Sequence, residues 1–573
     1  MDVQPSNHNE AEVFALWKEL SPAGAYLDGI DEQGGKVFEA GDRQVKSLLR
    51  KTILLKKKTS DRLVQKILDS FEITLTYEEP FSTPNAILGA LFGYMVKEGI
   101  LPQHMTPLLE SSLHALQNSK QRLRPNSWST PLKILTHIAC DGLQEVLEAV
   151  ASGTQDPTVG EAVKRLREET RSYADAFPVQ GYKEGRYEET IEILSRGDAH
   201  MGRALIYEKF LRMAYDYTET APQLIRKGQQ WLQQERPKLT RVTEQLAKLH
   251  RCESTVQAVS QALAQADHLK TTDLIAKTLE VRRIVRPYVH RFVVQINPDY
   301  RTDVIETPSY LAKLLPSAAA FGLNQLTPHP QQLYLVTTDE NLSPMRSLPE
   351  IINTLVHEEY GHTVHFSNTA KAYSAKPTLL ERLSTSHAGP ISEGLAFQRE
   401  IEFLDALKES DRKPRKSPEE KRLLDYLETN GGRRRRLLEL EFITRKWRLI
   451  RFLRVIGDAQ INSDRQTLPQ FLHWAEQATG IDQKTVYYQL FPAHQTNGPG
   501  YATSYAVIGQ EIARIEARLK RNRQKLLRFT TYGCSMGYPP RTIYLARLRK
   551  LASSLAGPAR KPSTKTQRKS RRQ

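Results

Sequence analysis

The sequence predicts a mainly α-helical fold with one small β-sheet. Long stretches place apolar residues three and four positions apart, with charged residues between them, which is the spacing of amphipathic helices. A single short run, 332–337, is clearly typical of a strand, and Pro330 and Asp339 bound it. The 573 residues are 39% hydrophobic, which suffices for a large core and excludes the disordered, collagen-like and disulfide-scaffold classes.

The helical pattern is strongest in a set of segments distributed along the whole chain: 43–57, 132–151, 190–214, 221–249, 253–266, 437–457 and 504–528. Clusters of glycine, proline and small polar residues interrupt the pattern at 153–157, 178–181 and 410–418, where we expect turns. No internal repeat is evident.

The charge is strongly positive but unevenly distributed. The formal net charge is +17, and residues 557–573 contain seven Lys or Arg and no acidic residue. This composition predicts a disordered basic tail, which solubilises the protein or makes weak, salt-sensitive contacts with nucleic acid or an acidic surface. A second basic run, 433–436, opens a segment of helical periodicity, and we expect its arginines to form a solvated helix face.

The sequence predicts a cytoplasmic protein without membrane contact. Its longest apolar run, 86–96, has eleven residues, whereas a membrane-spanning helix needs about 20. The first residues lack the basic and apolar regions of a signal peptide. The three cysteines, Cys140, Cys252 and Cys534, are far apart in sequence, which fits a reducing compartment.

The most informative segment begins at Ser347. Ser347 and Glu350 have the spacing of a capping box, and Pro349 suits the first turn of a helix. The predicted helix continues through His-Glu-Glu-Tyr-Gly-His-Thr-Val-His at 357–365, so that three histidines and two carboxylates fall within nine residues. This density of ligand-type side chains predicts a metal site, and the pattern is close to the zinc-peptidase motif HExxH without matching it.

Two ligand sets are compatible with this spacing. On a regular helix His357 and His362, five residues apart, diverge by about 140° and cannot share an ion. A one-residue π-bulge near Gly361 would restore their convergence, and such bulges concentrate at functional sites. Without a bulge, Glu358, His362 and His365 lie on one helical face, and spacing alone favours this second set.

Two later blocks follow in a recognisable order. Residues 392–400 read SEGLAFQRE and residues 498–509 read GPGYATSYAVIG. With the block at 357–365, they resemble a bacterial family that is catalogued as a domain of unknown function and carries HExxPGHH, EGWALYxE and PGQAxxYxxG. More distantly they are similar to thimet oligopeptidase and oligoendopeptidase F, which are gluzincins. This chain lacks the proline of the first block and is one residue shorter there.

The resemblance implies a zinc peptidase that uses one Zn²⁺ ion and cleaves short peptides. His357, His362 and Glu393 correspond to its metal ligands, and Glu358 corresponds to the general base that acts on a zinc-activated water. Glu400 matches the last glutamate of the second block and would orient a ligand. The fold it implies is a large helical gluzincin-like body with a deep cleft and the small sheet beside the active-site helix.

The tyrosine block implies further site residues. Tyr505 matches the tyrosine of the resembling family, and Tyr501 has a counterpart in the oligopeptidase tyrosine cluster, so both are candidates for stabilising an oxyanion. His494 precedes this block and could contact substrate or the oxyanion or be a loop histidine. His365 is expected either to support a ligand or to lie in the core. The resemblance extends over about 220–545. We therefore predict a helical region of unclear role at 1–219, the metallopeptidase-like region at 220–556 and the tail at 557–573.

Two other functions are compatible with the sequence. The missing residue in the first block is also consistent with a catalytically inactive helical scaffold that keeps a relic of a metal site. The basic tail alternatively predicts a nucleic-acid-associated protein. The three readings differ in whether the chain binds zinc and cleaves peptides.

Overall fold

The computed structural model describes residues 8–267, 269–308, 315, 317–339, 345–373 and 379–556. These residues form a mainly α-helical fold with one three-stranded sheet, which confirms the predicted fold class. The basic tail at 557–573 lies outside the described residues. Within the described ranges, no helix combines the length and the apolar character that a membrane span requires.

The helices before the sheet are α1 (His8–Leu20), α2 (Pro22–Leu27), α3 (Asp42–Lys58), α4 (Arg62–Thr76), α5 (Ser82–Glu98), α6 (Pro102–Arg122), α7 (Thr130–Ser152), α8 (Pro157–Asp175), α9 (Tyr187–Ser195), α10 (Ala204–Met213), α11 (Ala221–His250), α12 (Val256–Asp267) and α13 (Leu274–Phe292). Those after it are α14 (Leu348–His357), α15 (Val364–Tyr373), α16 (Ala388–Arg412), α17 (Pro418–Thr429), α18 (Arg433–Asn462), α19 (Leu468–Thr479), α20 (Gln483–Leu490), α21 (Ser504–Glu516), α22 (Arg523–Gly533) and α23 (Arg541–Ala556). Short 3₁₀ turns occupy Asp31–Gln33, Pro125–Ser127, Thr271–Asp273, Leu380–Arg382, Gln495–Asn497 and Tyr501–Thr503.

Two of the predicted helical segments are each divided into two helices. The segment 190–214 is interrupted between α9 and α10, where Gly197 and the left-handed Gly202 (φ 73°) fall. The segment 504–528 is interrupted between α21 and α22, and the Asn522 side chain caps α22 by accepting from the Lys525 N–H. The other segments each correspond to one helix.

The sheet has the strand order β1-β3-β2, with β1 at Asp303–Glu306, β2 at Ala318–Leu323 and β3 at Gln331–Val336. The predicted strand is therefore the central one. It pairs in parallel with β1 and antiparallel with β2, whose Ala320 lies opposite Tyr334. The second edge of β2 faces the helix formed by α14 and α15, so the sheet lies beside this helix as expected.

Three clusters of buried apolar side chains form the core. The largest joins α11, α14, α16, α18 and α21, and α11 packs along α18. A second cluster joins α5–α8 to Tyr26 of α2, Val37 and Phe177, and a third joins α1, α3 and α4 to Leu326 and Leu379. The first helices of the chain thus pack directly against segments that lie more than 200 residues later.

The prediction for the basic run 433–436 is wrong at one position. Arg434 is exposed, but Arg436 is buried, and its guanidinium lies 2.5 Å from Asp267 Oδ1 and 2.7 Å from Glu439 Oε2. A buried guanidinium requires such carboxylate partners because desolvation would otherwise make it costly. Asp267 lies in α12, far from the run in sequence, so the run itself carries no signal of this burial.

Candidate metal and catalytic site

A π-helical turn interrupts the helix that carries the three histidines. α14 ends at His357, the π turn covers Glu358–Thr363, and α15 continues from Val364. The extra residue that the bulged ligand set requires is therefore present. Gly361 permits this turn to lie against α16, because a Cβ atom there would come within 2.6 Å of the Ala396 Cα atom.

The start of α14 differs in part from the prediction. Ser347 is the N-cap and Pro349 lies in the first turn, but the capping box is not formed. The Leu348 N–H instead donates to Asp267 Oδ2 (2.7 Å), while Glu350 accepts from the Ser347 hydroxyl (3.4 Å). A carboxylate from α12 thus takes the role that the serine hydroxyl was predicted to have.

The π turn brings His357 and His362 together opposite Glu393. Their ring centroids are 5.0 Å apart, and Glu393 Oε2 lies 3.6 Å from His357 Nε2 and 3.5 Å from His362 Nε2. One ligand atom from each residue falls within 4.8 Å of the others, and no other described residues form such a group. Glu393 Oε2 is buried and has no hydrogen-bond partner among the described residues, so it is an acceptor that a cation would satisfy.

Each imidazole is oriented through its second nitrogen. His357 Nδ1 lies 2.7 Å from Glu400 Oε1, and His362 Nδ1 lies 2.7 Å from the Ser392 hydroxyl. Arg451 Nη1 in turn donates to Glu400 Oε2 (3.0 Å). These contacts direct both Nε2 atoms toward Glu393, as the outer contacts of metal-ligating histidines do.

The charges of the cluster compensate one another in the metal-free chain. Burial opposes protonation of His357, but Glu393 and Glu400 outweigh it and raise its pKa to about 9. Burial likewise opposes ionisation of Glu393, yet the two histidines hold its pKa well below the usual range. The site therefore stabilises an ionised Glu393 beside positive charge. In the metal-free chain protonated histidine supplies this charge, and a bound cation would supply it in place of the histidine protons.

Glu358 lies beside this cluster and in the same cavity. Its Oε2 atom accepts a hydrogen bond from the Ala320 N–H of β2 (2.9 Å). Burial raises the pKa of the Glu358 carboxyl group, although the two neighbouring histidines act against this shift. A carboxylate with a raised pKa that is fixed by one oxygen is suited to proton transfer.

The tyrosine block also lies beside the cluster. The Tyr501 hydroxyl donates to Glu393 Oε1 (3.4 Å), and the Tyr505 hydroxyl lies 3.2 Å from His494 Nε2. The Tyr505 ring lies nearly parallel to the His357 ring at 6.4 Å, and the Arg454 guanidinium is 4.7 Å from the Tyr505 ring centre. Burial raises the pKa of Tyr505, so its hydroxyl remains a proton donor.

His365 is not part of the cluster. Its Nε2 lies 3.1 Å from the Gly537 carbonyl oxygen, and its ring packs against Tyr538 at 5.0 Å. Burial lowers its pKa to about 3, which is the behaviour of a neutral core histidine. The structure therefore does not assemble the ligand set Glu358, His362 and His365.

The cluster opens into a cavity of about 470 Å³. Residues 318–322 of β2 form one wall, and α16 and the π turn form others. Sequence reasoning missed the roles of Ser392, Arg451 and Ala320 in orienting site residues. The sequence held a signal for Ser392, because this residue directly precedes Glu393. Arg451 and Ala320 act through contacts between distant segments, for which the sequence held no local signal.

We expect His357→Ala to lose zinc and His365→Gln to retain it. The first change removes a ligand atom, and we expect zinc affinity to fall by more than the roughly 10–100-fold that loss of an outer contact costs. The second leaves all three ligand atoms in place. Competition with a chromophoric chelator measures both affinities. Zinc loss in His365→Gln together with zinc retention in His357→Ala would show that Glu358, His362 and His365 are the ligands instead.

No protein-family profile and no curated protein sequence matches the chain. The chain is similar to solved structures. One is described as "a putative lipoprotein of unknown function" from Shewanella oneidensis. It has a TM-score of 0.62 and 15% identity to this chain, and the match covers 94% of this chain and 98% of that one. Another is described as a "putative lipoprotein" from Colwellia psychrerythraea, with a TM-score of 0.57 and 12% identity over 95% of this chain and 99% of that one. The likeness is one of fold, and it extends over nearly the whole of each chain.

Proposed function

We propose that this protein is a zinc-dependent peptidase that hydrolyses short peptides. The observation that carries the proposal is the convergence of His357, His362 and Glu393 in a cavity that also contains the Glu358 carboxylate. Two imidazoles and one carboxylate are the donor set of many catalytic zinc sites, and three protein ligands leave a coordination position open. The three sequence blocks supply the same residues in the order of the resembling peptidases.

The ligand atoms of His357, His362 and Glu393 are available to bind zinc. Both Nε2 atoms are free of other hydrogen bonds among the described residues, and Glu393 Oε2 lacks a partner. His357, His362 and Glu393 would therefore hold the ion. Zinc bound there would supply a Lewis acid beside Glu358.

Glu358 would move the proton. Its Oε2 is held by Ala320, and its Oε1 has no hydrogen bond among the described residues. The carboxylate would accept a proton from the attacking water and return it to the leaving amine. The raised pKa of the carboxyl group favours the first transfer, in which the carboxylate accepts the proton.

Tyr505 and His494 would act on the oxygen of the scissile carbonyl. The Tyr505 hydroxyl lines the cavity and keeps its proton at neutral pH. It would donate a hydrogen bond to the oxyanion as negative charge develops, and His494 fixes the position of the hydroxyl. Tyr501 would help to orient Glu393 through its hydroxyl.

β2 would align the substrate. The edge of β2 that is not paired with β3 borders the cavity, and its Ala320 N–H donates to Glu358, so an extended peptide can pair with the rest of this edge and present its carbonyl to the site. A cavity of about 470 Å³ accommodates a short peptide segment. Both features support the preference for short peptides that the resemblance implies.

The proposal is tested by removing and restoring the metal. We expect the purified chain to bind one equivalent of zinc, to cleave a mixed peptide library, to lose cleavage on chelation and to regain it when zinc is added. Glu393→Gln should weaken zinc retention, whereas Glu350→Gln, on α14 but outside the cavity, should leave both properties unchanged. Bound zinc without cleavage of any peptide would favour the inactive scaffold.

The remaining partners and the cellular location stay predictions. The tail that would contact nucleic acid or an acidic surface lies outside the described residues. The two similar structures carry the name lipoprotein, so a location at a membrane surface is the alternative to the predicted cytoplasmic one. Cell fractionation of the full-length chain distinguishes the two.

A further inference from the structure

One part of the cavity is built from charged side chains that do not contact the candidate metal ligands. It is lined by Arg382, Asp28 and Tyr538, together with the Phe366 ring. Phe366 stands between the two parts, because its ring lies 6.4 Å from both the His362 ring and the Tyr538 ring. A peptide that reaches the metal site would therefore extend past Phe366 toward Arg382.

Arg382 lacks the ionic partner that buried arginines of this protein usually have. It is 7% exposed, and its one hydrogen bond among the described residues runs from Nη2 to the Gln325 carbonyl oxygen. No described carboxylate lies within 4.0 Å of it. Arg203, Arg399 and Arg451 are also buried, and each bonds to a glutamate. Arg448 and Arg454 are as buried as Arg382 and likewise have no described carboxylate within 4.0 Å, but neither lines this cavity. The Nε and Nη1 groups of Arg382 have no hydrogen-bond partner among the described residues, and Arg382 is one of the residues that line the cavity.

The neighbours of Arg382 compensate its positive charge only in part. Asp28 is buried, and its carboxylate accepts no hydrogen bond from the described residues. Desolvation raises its pKa to about 7 against the opposing effect of Arg382, so it is partly protonated at neutral pH. The Tyr538 hydroxyl keeps its proton, because burial raises its pKa, and it adds a further donor near Arg382.

We propose that Arg382, assisted by the Tyr538 hydroxyl, binds a carboxylate of the peptide substrate. This inference rests on the proposed function and narrows its substrate class to peptides that carry an anionic group on one side of the scissile bond. Nη2 carries a second N–H besides the one that it donates to Gln325, and this N–H can donate together with Nη1 or with Nε to the two oxygens of a carboxylate. The carboxylate comes either from the C-terminus of the peptide or from an acidic side chain.

Equilibrium binding tests this inference separately from hydrolysis. Tetra-alanine, its C-terminal amide and an amide with one alanine replaced by aspartate would be titrated into the zinc-loaded Glu358→Gln protein by calorimetry. We expect tetra-alanine or the aspartate peptide to bind about tenfold more tightly than the neutral amide. Tighter binding of tetra-alanine identifies a C-terminal carboxylate as the ligand, and tighter binding of the aspartate peptide identifies an acidic side chain.

The same titrations with a further substitution identify the residue. Arg382→Gln should abolish the preference for the anionic peptide, Arg382→Lys should keep part of it, and Arg301→Gln, outside the cavity, should keep all of it. Equal affinities of all three peptides for the Glu358→Gln protein, or no measurable binding, would overturn the inference. A preference for the anionic peptide that survives Arg382→Gln would also overturn the inference. The same holds if Asp28→Asn, with Arg382 intact, abolishes this preference. A clear preference in a protein that cleaves nothing would instead refute the peptidase and leave the carboxylate site standing.

Discussion

Replacement of Glu358 by glutamine is expected to slow peptide hydrolysis by about 10²–10⁴-fold while zinc remains bound. The amide cannot accept a proton from water, but its oxygen can still accept the hydrogen bond that Ala320 donates to Glu358 Oε2. Glu358 is outside the converging group of ligand atoms, so the substitution leaves the donor set intact. The measurements are kcat/KM on a cleaved peptide and zinc content by mass spectrometry.

The adjacent Glu359 provides a matched control for this prediction. Its two carboxylate oxygens each lie 2.8 Å from Arg282 Nε, and the residue is fully buried away from the cavity. Glu359→Gln should therefore lower the stability of the chain but leave kcat/KM unchanged at temperatures where the protein is folded. Wild-type turnover in Glu358→Gln, or an equal loss in both variants, would contradict the role of Glu358 as general base.

Local periodicity predicted the helices well because their apolar faces are encoded in neighbouring residues. It could not predict β2, whose sequence Ala-Ala-Ala-Phe-Gly-Leu lacks β-branched residues and becomes a strand through pairing with β3. The division of 190–214 had a local signal in Gly197 and Gly202, which the periodicity outweighed. The division of 504–528 had a weaker one, in the capping residue Asn522.

The candidate site was predictable in its ligand-type residues but not in their support. His357, His362 and Glu393 appear in order in the sequence blocks, and the structure brings their ligand atoms together. Spacing alone favoured the regular helix and could not predict the π turn, which places Gly361 in close contact with Ala396 of α16. Arg451 acts on His357 through Glu400, so its role depends on tertiary structure.

The region before 220, for which the sequence indicated no role, is tied to the site by a buried polar network. Arg203 is fully buried, and its Nε and Nη2 groups donate to the two carboxylate oxygens of Glu79 at 2.6 Å each. Its Nη1 group donates to Asn462 Oδ1 and to Gln495 Oε1. Gln495 in turn donates to Asp458, which also accepts from the Gly500 N–H at the start of the tyrosine block.

We expect Glu79→Ala to lower the free energy of unfolding by about 3–5 kcal/mol, because it leaves the Arg203 guanidinium buried without its carboxylate. Replacing both residues, as Glu79→Leu with Arg203→Met, should recover most of this loss, since no unpaired charge then remains. Urea unfolding followed by fluorescence and circular dichroism measures the change, with Glu192→Gln in the exposed pair with Arg196 as the control. A Glu79→Ala protein as stable as this control would show that the buried pair does not form. At temperatures where the Glu79→Ala protein remains folded, slower hydrolysis with full zinc content would show that the network positions the tyrosine block.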